Sequence, residues 1–169
     1  MKLNKDFYMA DSPELAQSLL GKLLYVKSDG IVKKFRITET EAYFGTEDTA
    51  CHAHKGRTKR TETLYSEGGV LYVYLCYGIH SLINIVCGES DFPQAVLIRG
   101  IEGASGPGRV SKKLGIDLSF NNLDIIQSDI LWIEDDGYIP SGIKTSPRIG
   151  INYATEYYRN IHWRFYIEL

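Results

Sequence analysis

The residues in this chain that could do chemistry gather in a few short stretches. In Thr38-Glu39-Thr40-Glu41-Ala42-Tyr43 the side chains of Glu39, Glu41 and Tyr43 fall on one face of a strand, because strand side chains alternate. A carboxylate beside an aromatic, where a strand runs into a loop, has the placement of a general base above a cleft; a solvated strand edge has the same spacing. Tyr72 and Tyr74 also alternate onto one face, and Tyr77 stands where their strand enters a turn. The chain carries 12 tyrosines and only 2 tryptophans. Tyrosine stacks on a flat base without needing full burial, so this hairpin reads either as a stacking platform or as a packed aromatic face. Cys51-His52-Ala53-His54 brings thiol and imidazole together, but the second ligand pair of a zinc site is missing. We therefore expect no metal and no cofactor, with His52 as a hydrogen-bonding wall of a pocket. The fingerprints of serine hydrolases, zinc proteases, P-loops and dinucleotide sites are absent from the sequence.

Elements must position these groups. Asp11-Ser12-Pro13-Glu14 reads as a helix start, with Ser12 as N-cap and Pro13 at the first helical position. Leu15, Leu19 and Leu20 then share a face, and Gly21 is the stop. Residues 23–27, a Ser-Asp-Gly turn and residues 31–43 predict a hairpin. A polar loop runs from Gly45 to Gly69. Strands over 70–77 and 81–88 flank a turn at Gly78-Ile79-His80, and 95–102 is the next strand. Gly106-Pro107-Gly108 introduces a short basic helix over 109–116, ended at Gly115; residues 130–137 and 164–169 supply later strands. Strands outnumber helices and short turns join them, which predicts an α+β fold. No repeat, linker or boundary divides residues 1–169, so a single domain around a curved, largely antiparallel sheet with short flanking helices is expected.

The bulk properties fit that picture. A chain of 169 residues, 44% hydrophobic and 24% charged, can bury a sizeable core. No apolar run approaches the ~18 residues of a membrane span, and the N-terminus lacks the apolar core of a signal peptide. A cytoplasmic protein without a membrane partner is expected. The cysteines, Cys51, Cys76 and Cys87, are an odd number and fit free thiols in a reducing compartment. Net charge is −2, which by itself disfavours a nucleic-acid partner. The cations are clustered, however: Lys55, Arg57, Lys59 and Arg60 in one loop, and Arg109, Lys112 and Lys113 in the basic helix. Each cluster reads as solvated surface or as a contact for phosphates.

ETEAYFGTEDTACHAHKGR, LYVYLCYGIHSLINIV, VLIRGIE, GPGRVSKKLGI and SPRIGINYATEYYRNIHWRFYI follow one another from Glu39, within a match that runs from about Leu15 to the C-terminus. In this order they resemble the alkyladenine (3-methyladenine) DNA glycosylase family, the single-domain type of animals and bacteria. The resemblance implies a monofunctional base-excision-repair enzyme that flips a damaged purine from the duplex and hydrolyses its bond to deoxyribose. The implied substrates are 3-methyladenine, 7-methylguanine, hypoxanthine and ethenoadenine. By this resemblance Glu41 is the general base and Arg99 helps hold the attacking water or a phosphate, while the backbone carbonyl near Ile149 makes a further water contact. Tyr43 and Tyr74 sandwich the flipped base, His52 reads its edge, Asn84 screens its exocyclic position, and Ala50 and Leu97 complete the pocket. Tyr77 is the wedge that fills the vacated space. Lys55, Arg57, Lys59, Arg60, Arg109, Lys112 and Lys113 would meet the DNA backbone. The implied partner is double-stranded DNA containing a damaged purine, acted on by a monomer with no obligatory protein partner and, in a bacterial-type cell, associated with the nucleoid when bound.

This sequence departs from the family pattern in two places. The stretch from Glu102 to Gly106 is short where relatives carry a longer basic segment, and Ile79-His80 replaces more typical residues beside the wedge. The shortened stretch, with the low pI near 6.1, predicts weaker binding to undamaged DNA. A catalytically inactive DNA-binding domain of the same fold is the alternative, and a small-sugar glycosidase would need a second catalytic acid. Glu41, Arg99 and Tyr77 occurring together favour the enzyme.

Overall fold

Pro13 and the apolar spacing of Leu15, Ala16 and Leu19 make helix α1 (Ser12–Leu19), whose apolar face is fully buried. Its N-cap is Asp11, a correction of the expected Ser12: the Asp11 carbonyl accepts the amides of Glu14 and Leu15. Ser12 is instead the first helical residue and a buried cross-link. Its hydroxyl donates to the Tyr43 carbonyl and its amide to Gln94 Oε1, tying the helix start to two strand ends.

The computed structural model describes residues 1–169. Strands β1 (Leu23–Ser28) and β2 (Ile31–Phe44) form the expected hairpin, turning at Asp29 and Gly30, which both have positive φ. Next come β3 (Leu71–Cys76), β4 (His80–Val86) and β5 (Gln94–Ile101), then β6 (Ala104–Ser105) and helix α2 (Pro107–Leu114). Strand β7 (Leu131–Glu134), strand β8 (Lys144–Ser146), helix α3 (Glu156–Asn160) and strand β9 (Arg164–Tyr166) complete the chain. Nine strands join in one sheet of order β3-β4-β5-β2-β1-β7, with β6 beside β5 and the β8–β9 pair beside β2. Every pairing is antiparallel. The fold is thus the expected α+β type, with β6, β8 and α3 in addition.

Strand β2 governs the architecture. Its first half pairs with β1, and its second half pairs with β5 on one edge and β9 on the other. The β2–β5 register shifts around Glu39, a bulge that bends the strand and curves the sheet. Gly100 lies opposite, and a Cβ there would sit 2.8 Å from the Glu39 Cβ, so the close approach requires glycine.

Alternation along the central strands sorts their residues between two cores. Val96 and Ile98 of β5, Ile83 and Ile85 of β4, and Ala42 of β2 join α1 and the α2 residues Val110 and Leu114 in the main core. Ala95, Val86 and Tyr72 point the other way and pack under the 45–69 loop in a second, smaller cluster with Cys51, Ala53 and Leu64. That loop contains short 3-10 turns at His52–Lys55 and Glu62–Tyr65 that the polar composition had hidden. Truncating a fully buried leucine such as Leu19 costs about 2–5 kcal/mol.

Several boundaries differ from expectation: β4, β7 and β9 end earlier, at Val86, Glu134 and Tyr166, and two further shifts lie near the site. Helix α2 begins at Pro107, because proline suits the first helical turn, and it ends at Gly115 in the left-handed region as anticipated. The β3–β4 turn is Tyr77-Gly78-Ile79, and His80 belongs to β4, paired with Cys76. The shortened stretch after β5 is a tight hairpin: Ile101 pairs with Ala104 around Glu102 and Gly103.

Candidate active site

Glu41 lies on the sheet face covered by the 45–69 loop and is fully buried. Oε2 accepts the Ile149 amide at 2.7 Å, and Oε1 accepts the Tyr43 hydroxyl at 3.1 Å. The Arg99 guanidinium comes no closer to Oε1 than 3.7 Å. Burial pushes the Glu41 carboxyl above its ordinary range, with Arg99, the Ile149 amide, the Tyr43 hydroxyl and Arg148 opposing the shift. A buried carboxylate of raised pKa, held by neutral donors, is suited to accept a proton.

Arg99 donates from Nε to Glu39 Oε1 at 2.8 Å, and Arg164 donates from its own Nε to the same oxygen at 2.6 Å. Arg164 also reaches the Ser146 hydroxyl, which secures the β8–β9 pair beside β2. Ile149 meets the site through its amide, which donates to Glu41 Oε2. The reason is positional: Arg148, immediately before it, is locked into the protein interior.

That lock is a buried ion pair that sequence reading missed. Arg148 donates to both Asp48 oxygens at 2.7 and 2.9 Å, and also to the carbonyls of Ala42 and Tyr158. Asp48 accepts the amides of Phe44 and Ala50 as well. The guanidinium lies between the rings of Tyr43 and Trp163, 4.9 and 5.1 Å from their centroids. Asp48 and Arg148 stand 100 residues apart, so no local pattern could have linked them.

Beside Glu41 is an aromatic pocket lined by Tyr43, Ala50, His52, Tyr74 and Asn84, all anticipated, together with Cys51, Leu64, Tyr72, Ala95 and Tyr153. Tyr72, whose alternation with Tyr74 was legible, donates or accepts at His52 Nδ1 over 2.9 Å. The His52 and Tyr74 rings meet edge-on at 4.4 Å. Burial, aided by Arg60 and Lys55, pushes the His52 imidazole down to about 4, so the ring is neutral at pH 7. Asn84 donates through Nδ2 to the Tyr72 carbonyl at 3.2 Å, and Tyr153 donates to the Ala50 carbonyl at 3.0 Å. Leu97 is buried in β5, in register between Glu41 and Asn84, and like Glu41 is not among the lining residues. About 40 Å³ is free at the pocket's centre, within about 340 Å³ counted out to the mouth. The centre has room for about three waters, too little for a bicyclic base unless the rings part.

The two histidines of the Cys51–His54 stretch do not converge. His52 Nδ1 meets Tyr72, whereas His54 Nδ1 meets the Thr46 carbonyl. No group of three or more histidine, cysteine or acidic side chains is close enough to hold a metal ion.

Tyr77 stands at the apex of the β3–β4 turn, 92% exposed and in the left-handed region with φ 52°. Positive φ is unusual for a bulky residue and costs about 1–2 kcal/mol. An aromatic held out in this way points to a use outside the folded chain. His80, at the base of the turn, packs on Gly108 of α2, where a Cβ would lie 2.9 Å from its ring.

Lys55, Lys59 and Arg60 are exposed, and Lys55 and Arg60 line a polar groove that shares Ala50, Cys51, His52 and Tyr153 with the aromatic pocket. Arg109, Lys112 and Lys113 are exposed on α2, where Lys113 also lies over the Phe35 ring. Arg57 differs from its neighbours. It is paired with Glu62 and Asp91 and stacked over Tyr65, so its charge is already matched within the protein.

Comparison with known proteins adds the lineage. The family described as methylpurine-DNA glycosylase matches residues 6–105 and 102–169, two segments that meet at the β5–β6 hairpin where the chain is short. A protein of Borreliella afzelii (strain PKo) named "Putative 3-methyladenine DNA glycosylase" is 43% identical, the match covering 98% of this chain and 96% of that protein. A protein of the same name from Clostridium perfringens (strain 13 / Type A) is 39% identical over 99% of this chain and 96% of its own length. One from Psychrobacter cryohalolentis is 44% identical over 83% and 80%. With the family matched across nearly its whole length, this chain belongs to the methylpurine-DNA glycosylases.

Proposed function

We propose that this protein is a monofunctional DNA glycosylase that hydrolyses the N-glycosidic bond of alkylated or deaminated purines in duplex DNA. The observation that carries the reading is Glu41, a fully buried carboxylate of raised pKa whose Oε1 accepts the hydroxyl of Tyr43, a residue that lines the aromatic pocket.

A base inside a duplex must leave the stack before its glycosidic bond can be reached. Tyr77, projecting from the β3–β4 turn, enters the minor groove and fills the gap. The extruded purine slides between Tyr43, Tyr74 and His52. Tyrosine faces attract the positive charge of an alkylated base, and neutral His52 adds no repulsion. Asn84 on the pocket wall disfavours the exocyclic amino group of a normal guanine. Lengthening of the glycosidic bond places positive charge on the sugar, which the Glu41 carboxylate stabilises. Glu41 takes a proton from a water as its oxygen bonds to the anomeric carbon, and the base departs with the bonding electrons. No lysine lines the pocket, so no Schiff base forms and the products are free base and an abasic site. Lys55, Lys59, Arg60, Arg109 and Lys112 supply backbone contacts, and a monomer suffices.

The test is release of free base from duplexes carrying one hypoxanthine, ethenoadenine or methylated purine, with undamaged duplex as control. Free base and an unbroken abasic strand are expected. Binding of the damaged duplex without release from any lesion would instead identify a DNA-binding domain that has lost the chemistry.

A further inference from the structure

Glu39 is the carboxylate that the reaction above leaves unused. Strand alternation sets it beside Glu41 on the same face, where the Arg99 guanidinium lies 2.8 Å from Glu39 and 3.7 Å from Glu41, and the bare backbone of Gly100 leaves it room. Its Oε1 takes two charged donors, Arg99 Nε at 2.8 Å and Arg164 Nε at 2.6 Å. Arg99 is thereby turned away from Glu41: its nearest approach of 3.7 Å lies outside hydrogen-bond range. Arg148, the other cation acting on Glu41, is likewise engaged by Asp48. Both arginines are matched by other acids, and Glu41 is left with an amide and a hydroxyl.

This division of partners has a chemical consequence. An arginine in direct contact lowers a carboxyl pKa by about 1–3 units, and a base so weakened takes a proton from water less readily. The other groups facing Glu41 do not compensate. Tyr43 lies on its own strand, Tyr74 across the pocket on β3, Tyr153 in the segment before α3, and Arg148 beside the Ile149 amide. The tyrosines are protonated at neutral pH, since burial raises all three. The geometry points to Glu39 as a positioning residue: by holding the guanidinium of Arg99, it keeps Glu41 free to act as the base. This inference rests on the reading of Glu41 in the proposed reaction.

Glu39→Gln tests it, because glutamine keeps the shape and one acceptor oxygen but withdraws the charge. The Glu41 carboxyl is followed in the free protein by carbon-13 resonance, assigned by its loss in Glu41→Gln. Its titration midpoint is expected to fall by about one pH unit or more. The acidic limb of the single-turnover rate profile for hypoxanthine release should move the same way, with a lower plateau. A midpoint and limb that superimpose on wild type overturn the inference. Arg164→Gln is the companion variant: it leaves Glu39 to Arg99 alone, so the midpoint holds or rises. A fall in that variant overturns the inference even if Glu39→Gln does not fold. Were wild type to release no base while Glu39→Gln still lowered the midpoint, the functional reading would fail and the control of Glu41 by Glu39 would stand.

Discussion

Replacing Asp48 by asparagine removes one charge from the fully buried pair that fastens the active-site wall. Four donors converge on the carboxylate: Arg148 Nη1 and the Phe44 amide on Oδ2, Arg148 Nη2 and the Ala50 amide on Oδ1. An asparagine offers one oxygen and one NH₂, so whichever way it turns, two of these four donors face another donor. Each buried donor left without a partner costs about 1–3 kcal/mol. The guanidinium also stays buried without a counter-charge, with Nε already unpaired. These penalties overlap and do not add, and the total for breaking a buried pair is about 3–5 kcal/mol. With a urea slope of about 2 kcal/mol/M for a domain of this size, the midpoint falls by roughly 2 M. Urea unfolding followed by tryptophan fluorescence reads this directly. Asp48→Leu combined with Arg148→Met removes both charges and should recover only the part of the loss due to the unmatched guanidinium, because the Phe44 and Ala50 amides still lack their acceptor. A midpoint within about 0.5 M of wild type for Asp48→Asn would show that the pair does not carry the wall, and the reasoning would be wrong.

Acid stability should depend on His52. The folded ring titrates near 4 and the unfolded ring at its ordinary 6.5, so on acidification the unfolded chain takes up the proton first. The resulting stability is fully present above pH 6.5 and is lost as pH falls towards 4, with an upper bound of about 3 kcal/mol. Denaturant midpoints of wild type and His52→Gln should therefore lose different amounts between pH 7 and pH 4; parallel losses would discount the histidine. Tyr77→Gly separates stability from function. Relieving the positive φ stabilises the free protein by up to about 1 kcal/mol, while base release slows. A variant with full excision activity would remove the wedge from the account.

The elements that bring the site together were legible where their signal is local. Alternation in β2 and β3 put Glu41 with Tyr43 and Tyr72 with Tyr74, and Asp29-Gly30 fixed the first turn. The Tyr77 turn was set one residue late, because Gly78 draws the eye while the first left-handed residue is the tyrosine. What stayed hidden was non-local or weakly patterned. Strand β8 and helix α3 are three and five residues long and mostly exposed, too short to show a period. Arg148, Asp48 and Arg164 act through partners far along the chain. The matched charge of Arg57 depends in part on Asp91, which only folding brings near.

The most direct test of the central claim is single-turnover release of hypoxanthine from duplex DNA by wild type and by Glu41→Gln, with duplex affinity measured alongside. The account predicts abasic product from wild type and a loss of several orders of magnitude in the variant, with affinity retained. Comparable release by both proteins would contradict it, because the buried carboxylate would then play no part in the chemistry.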